Sequence, residues 1–215
     1  MKLKSILLLT LILSFQLTAS TVVYVKSDGS TTADGLSWSN AVNLDRARVL
    51  VNYYNNLSSP VETELWLKSG VYNLSSAFLI NLRINIYGGF VGIETLREQR
   101  NWYLNQTILN QTSSSMVIWG NTSDNVQLDG LILQGGRPTG AGGCGQVAQG
   151  TSLRNCIVRN NKATTSSGAF TLFAVSGSTK KIVFENCLIV NNESATFPPV
   201  INSGAEPGDF INCKV

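Results

Sequence analysis

Four segments of the chain repeat one pattern of apolar and polar positions: Leu128 to Leu133, Leu153 to Val158, Phe184 to Ile189 and Phe210 to Val215. Their first, fourth and sixth positions are apolar, and their third is Gly130, Asn155, Asn186 or Asn212. Gly and Asn enter positive φ more readily than other residues, so each copy reads as a strand, a one-residue corner and a second strand, both facing one core. The fifth position, Ile132, Ile157, Leu188 or Lys214, then faces outward, and so does the second (Asp129, Arg154, Glu185, Ile211), whose first three side chains are expected to form a solvent-facing column of alternating charge. The copies lie 25, 31 and 26 residues apart, a period that suits a solenoid built from short strands.

Elsewhere the period changes. Val22 to Val25 alternates as a strand and leads into a polar loop from Ser27 to Ser37. Asn43 reads as a helix N-cap, with Leu44, Ala47, Leu50, Val51 and Tyr54 recurring at helical spacing as far as Asn55, an amphipathic helix placed to cover the open end of the first turn. Glu64 to Lys68 reads as a core strand, and Ile84 to Phe90 as an earlier, less regular copy of the repeat with Gly88 at its corner. A long excursion from Gly92 to Gln106 follows. Met116 to Gly120, Cys144 to Ala148, Ala169 to Val175 and Val200 to Ser203 supply one further strand for each later turn. Three strands per turn predict an all-β fold, a right-handed, single-stranded parallel β-helix with an N-terminal helical cap and an uncapped C-terminal end. Residues 21–62 form the strand and helix of the cap, and residues 63–215 the β-helix.

Composition places that fold in a compartment. Lys2 and Lys4 precede an apolar run from Ile6 to Phe15 and a small-residue stretch ending at Ser20, so residues 1–20 read as a signal peptide, too short for a membrane span. Only 13% of the 215 residues are charged, 16 Lys and Arg stand against 13 Asp and Glu, and no basic patch points to nucleic acid. Six Asn-x-Ser/Thr sequons (Asn56, Asn73, Asn105, Asn110, Asn121, Asn192) reflect the Asn-rich composition. Cys156, Cys187 and Cys213 share the repeat position that Leu131 fills in the first copy, so they read as small core residues stacked as free thiols rather than as a disulfide framework, with Cys144 on a further strand.

Several motifs extend beyond the repeat: Tyr24-Val-Lys26 with Asp28-Gly29, Asp34 to Ala41 around Trp38, Leu65 to Tyr72 around Trp66 and Gly70, Tyr87 to Thr95, Gln99 to Trp102, and Thr107 to Leu109. With these motifs the chain resembles the right-handed parallel β-helix proteins of the pectate-lyase-like superfamily, and within it the exported repeat proteins of Bacteroidetes and the polymorphic outer-membrane proteins of other bacteria. The resemblance implies the fold and an exported, surface-associated life, secreted or at the bacterial cell surface, and supplies no activity. Such proteins continue for many more turns, whereas this sequence stops at Val215 inside a repeat. A truncated product, a fragment, or association with a partner through the exposed last turn at Phe210, Cys213 and Val215 is therefore expected.

Catalytic constellations are weak. The chain has no His, no adjacent Asp pair, and only Asn121-Thr-Ser-Asp124 where hydrolases of this fold carry an Asn-Thr-Asp motif. Inverting glycoside hydrolysis needs an acid and a base carboxyl facing each other, and a lyase needs a base beside a carboxylate-held cation. Arg137 before Pro138 lacks the spacing of such a site, and no cofactor or metal is expected. Binding residues are easier to name. Trp119 and Phe173 fall on strands of the face where β-helices bind glycans, so with Arg137 they are the candidate ligand contacts; core packing is the alternative for the two aromatics, and a solvated loop the alternative for the arginine. Trp38, Trp66 and Trp102 read as structural. The function expected is non-catalytic adhesion to, or recognition of, polysaccharide or a host-surface glycan. A degenerate polysaccharide lyase or glycoside hydrolase, and a passive structural spacer, are the alternatives.

Overall fold

The computed structural model describes residues 20–80, 83–121, 125–140, 142–196, 201–203 and 208–215, with backbone alone for 201–203. The expected signal peptide therefore lies outside the described residues except for Ser20, as do Val200 and the segment 122–124. The elements are β1 (Thr21–Ser30), α1 (Leu44–Asn55), β2 (Thr63–Lys68), β3 (Gly70–Leu74), β4 (Phe78–Leu79), β5 (Ile84–Phe90), β6 (Thr107–Gln111), β7 (Ile118–Trp119), β8 (Val126–Asp129) and β9 (Leu131–Gln134). They continue with β10 (Gly145–Ala148), β11 (Thr151–Arg154), β12 (Ile157–Arg159), β13 (Lys162–Ala163), β14 (Phe170–Phe173), β15 (Val183–Glu185), β16 (Leu188–Val190), β17 (Glu193–Ser194), β18 (Ile201–Ser203) and β19 (Asp209–Ile211).

The strands are all-parallel and fall into three main sheets, which the chain visits in rotation. The first sheet has the order β1-β2-β5-β8-β11-β15-β19, the second β3-β6-β9-β12-β16 and the third β4-β7-β10-β14-β18; β13 and β17 make a small fourth pair. Register fixes side-chain columns that run across the strands. In the first sheet Val23, Leu65, Ile86, Leu128, Leu153, Phe184 and Phe210 are successive partners. In the second, Tyr72, Leu109, Leu133, Val158 and Ile189 are. All but Phe210 are buried in one continuous core, each such side chain contributing about 1.5–3 kcal/mol by leaving water. Helix α1 starts at the expected N-cap, where Asn43 Oδ1 accepts from the Arg46 N–H at 2.9 Å, and it buries Leu44, Ala47, Leu50 and Val51 in the same core.

The corners are where the repeat places them. Gly130, Asn155, Asn186 and Asn212 have φ of 71°, 51°, 53° and 52°. A second corner closes each pass five residues later, at Gly135, Asn160 and Asn191 (φ 84°, 56° and 52°), which the pattern of apolar positions did not reveal. Behind it Asn161 and Asn192 are buried: Asn161 Nδ2 donates to Asn192 Oδ1 at 3.0 Å and Asn192 Nδ2 to the Val158 carbonyl at 2.9 Å. The doublets Asn160-Asn161 and Asn191-Asn192 thus satisfy backbone that short strands leave unpaired.

Other expectations need correction. Strand β1 runs through Gly29 to Ser30 into the supposed loop, because Ser30 bridges Val42 and its N–H donates to Ala41 O at 3.0 Å. The early corner is at Gly89 (φ 97°), not Gly88, since a register shift after Trp66 admits an extra residue there. Cys144 precedes β10 rather than lying in it. The charge column forms in part: Arg154 Nε lies 3.0 Å from Glu185 Oε2, but Asp129 is only 6% exposed and pairs instead with Arg100 at 2.9 Å. Arg100 belongs to the 92–106 excursion, which folds back across the corner between the first and second sheets and removes Asp129 from solvent.

That excursion is held by its polar side chains. The Glu94 carboxylate accepts from the N–H groups of Val91, Gly92 and Ile93 at 2.7, 2.9 and 3.0 Å. Arg97 lies over the Tyr87 ring, donates to its hydroxyl at 3.0 Å and pairs with Glu64 at 3.3 Å, while Arg100 donates to the Gly88 carbonyl at 2.9 Å. Trp102 closes the corner. A Cβ at Gly89 or Gly130 would stand 2.5 Å from its Cα or Cβ, so glycine is required at both positions.

Candidate functional site

The outer face of the third sheet carries two of the three candidate residues. Register places Leu79, Trp119, Gln146 and Thr171 side by side on β4, β7, β10 and β14. They alternate with Phe78, Ile118, Gly145 and Phe170, which point inward and are buried, so the Trp119 row faces out. The Trp119 indole N–H donates to Gln146 Oε1 at 2.9 Å. A bond to a side chain on the neighbouring strand, about 4.8 Å away, restrains the indole on this face. Thr171 Oγ1 and Ser166 Oγ share a hydrogen bond of 2.7 Å, which holds the next polar group of the row. Phe173, two residues further along β14 on the same face, is 38% exposed. Two strand spacings and two residues separate it from Trp119 by about 12 Å.

Arg137 is not part of that cluster. Its backbone N–H donates to the Ser115 carbonyl at 2.9 Å, four residues before Trp119 in the chain, or about 13 Å along an extended backbone. Its exposed side chain lines a depression of about 850 Å³ together with Asn160, Asn161, Lys162, Asn191 and Glu193. There Lys162 and Glu193 pair at 2.9 Å, and the hydrogen bond and charge of Lys162, with the charge of Arg137 behind them, hold the Glu193 carboxyl below its usual range.

Four other carboxylates have structural partners: Glu64 with Arg97, Asp129 with Arg100, Glu185 with Arg154 and Asp209 with Lys181. Among the described residues no three His, Cys, Asp or Glu side chains gather to hold a metal. The thiols sit where the repeat puts them. Cys156, Cys187 and Cys213 each direct Sγ at a carbonyl one pass back, Leu128, Leu153 and Phe184, at 3.6, 3.4 and 3.4 Å, and burial pushes the Cys144 and Cys156 thiols well above their ordinary range.

Residues that the linear pattern passed over complete the picture. Gln146 becomes Trp119's partner only through strand register, a relation spanning 27 residues. Trp38 and Trp66 are packed with Tyr24, Tyr87 and Phe90, as their early position suggested, but Trp102 is 37% exposed. Asn192, one of the sequon residues, is buried in the interior amide pair. Among the described residues no helix is long and apolar enough to cross a membrane. No protein-family model matches the chain, no curated protein matches it, and no solved structure matches it.

Proposed function

We propose that the chain is an exported right-handed parallel β-helix that recognises carbohydrate, without catalysis, on the outer face of its third sheet. Rotation of the chain through three parallel sheets, with two positive-φ corners in each later pass and α1 over the first strands, is the arrangement such a coil requires. The observation that carries the binding assignment is the outward-facing Trp119 indole, restrained by its bond to Gln146. A pyranose ring offers an apolar face of C–H groups and a rim of hydroxyls. A fixed aromatic plane receives the first, and neighbouring amide and hydroxyl groups receive the second. Gln146 keeps its amide N–H groups for a ligand while its oxygen holds the indole, and Thr171 adds a hydroxyl in the same row. Phe173 supplies a second aromatic surface within the length of a short oligosaccharide. Because the strands fix these groups before a ligand arrives, little ordering entropy is lost on binding.

The test is a glycan array probed with the mature protein and with Trp119→Ala and Phe173→Ala. Binding to a restricted set of glycans, lost in Trp119→Ala and weakened in Phe173→Ala, supports the assignment. An array with no bound glycan, or binding indifferent to Trp119, refutes it.

A further inference from the structure

A different face carries a second inference. The outward column of the second sheet runs Val71, Ile108, Ile132, Ile157, Leu188, five strands deep and aliphatic throughout. A half-solvated sheet puts polar side chains at such positions, whereas a parallel sheet covered on both faces puts aliphatic ones there. Part of the column is covered: Ile132 is 3% exposed because the excursion lies against it, and Trp102, Tyr103, Leu104, Gly130, Ile132 and Ile157 line a cleft of about 340 Å³ there. The excursion itself is inverted. Glu94, Arg97 and Arg100 point into the protein and brace it, while Tyr103 and Leu104 stand 74% and 71% exposed.

We infer that this face is the contact between two copies of the chain, related by a two-fold axis, with Tyr103 and Leu104 of each copy seated in the cleft of the other. A two-fold contact is made by one patch with itself, so the patch must contain both the projection and the recess that receives it. This patch contains both, Tyr103 and Leu104 projecting from the rim of a recess whose floor includes Ile132 and Ile157. No charged side chain lines the cleft itself, so seating apolar side chains there desolvates no charge. The apolar surface offered by Tyr103, Leu104, Trp102, Val71 and the half-buried column members is on the order of 500 Å². A stable dimer buries about 800 Å² per partner with its apolar residues at the centre, so a polar rim of ordinary size completes the interface. Tyr and Trp held on a braced loop lose little freedom on docking.

Sedimentation equilibrium of the mature wild-type chain tests this, beside Tyr103→Glu/Leu104→Glu and, as a control on the other face, Phe173→Ala. The expected result is a mass twice that of the chain for wild type and for Phe173→Ala. The double variant should be monomeric, its dissociation constant raised at least about 100-fold, with an unchanged circular dichroism spectrum and melting temperature. Because both altered side chains are exposed, loss of the dimer does not follow from loss of the fold. A wild type that stays monomeric at about 100 µM overturns the proposal. So does a dimer that survives the double variant, which would place the contact elsewhere.

Discussion

Asn186 offers the sharpest test of the corner geometry. At φ 53° it lies in the left-handed region, and its carboxamide belongs to an external ladder: Asn212 Nδ2 donates to Asn186 Oδ1 at 2.7 Å, Asn186 Nδ2 to Asn155 Oδ1 at 3.4 Å and Asn155 Nδ2 to Asp129 Oδ1 at 2.9 Å. Its backbone N–H donates to Ile211 O at 2.9 Å and survives any substitution but proline. Asn186→Gly keeps the backbone relaxed and loses two exposed amide contacts, one of them long, for a cost of about 1 kcal/mol. Asn186→Ala adds a left-handed Cβ penalty of about 1–2 kcal/mol. Asn186→Val loses the same contacts and forces a β-branched residue to positive φ at about 2–3 kcal/mol, giving a total near 3–4 kcal/mol. The order Gly, Ala, Val is therefore expected in urea unfolding, with a gap of about 2–3 kcal/mol between the extremes, or about 4–12 °C in melting temperature for a domain of this size. Equal destabilisation by Gly and Val would refute the corner, because both variants lose the same amide contacts and only the backbone cost separates them.

Three further outcomes are expected. Arg154→Glu breaks a half-exposed pair with Glu185 and places two carboxylates on adjacent strands, so it should lower the melting temperature by an amount equivalent to about 0.5–1.5 kcal/mol at low salt and by less in molar salt, measured by calorimetry at both ionic strengths. Burial alone would raise the Glu94 carboxyl, but the N–H bonds from Val91, Gly92, Ile93 and its own backbone outweigh it and hold the pKa below the ordinary 4.5. Its stabilising contribution is thus complete above pH 4.5 and lost as pH falls through the folded value, so the stability gap between wild type and Glu94→Gln should shrink on acidification; a gap constant from neutral pH to about pH 3 would contradict this. Timed alkylation followed by peptide mapping should label the half-buried Cys213 first and Cys144 and Cys156 only on unfolding, because the last two are fully enclosed and their thiolates are suppressed by burial.

The repeat was legible because one residue in each copy has a single job. A Gly or Asn that must reach positive φ, flanked by inward apolar positions at fixed offsets, locates strands of the first and second sheets from sequence alone, as Asn155 and Asn186 do. The second corners were harder to see because Asn160 and Asn191 precede polar, buried Asn161 and Asn192. Their spacing of 31 residues, equal to that of Asn155 and Asn186, was the available signal. Asp129 was misplaced for another reason. Its environment is set by Arg100, delivered from 29 residues away by an excursion with no period, and alternation within a strand carries no trace of a loop that folds over it. The candidate site was half legible: strand alternation put Trp119 and Phe173 on one outer face, whereas the Gln146 partner emerged only from register, and Arg137 belongs to a separate depression.

The most direct test of the recognition surface is a titration of the isotope-labelled protein, followed through its tryptophan indole N–H resonances, with a glycan selected on the array. Four tryptophans give four resolvable probes: Trp119 on the third sheet, Trp102 beside the apolar cleft, and Trp38 and Trp66 in the packed aromatic cluster. The result expected is a saturable shift of the Trp119 resonance, with the Trp38, Trp66 and Trp102 resonances unmoved and the Trp119 shift diminished in Gln146→Ala. A shift confined to Trp102, or saturable binding that leaves Trp119 in place, would contradict the assignment of the third sheet as the binding face.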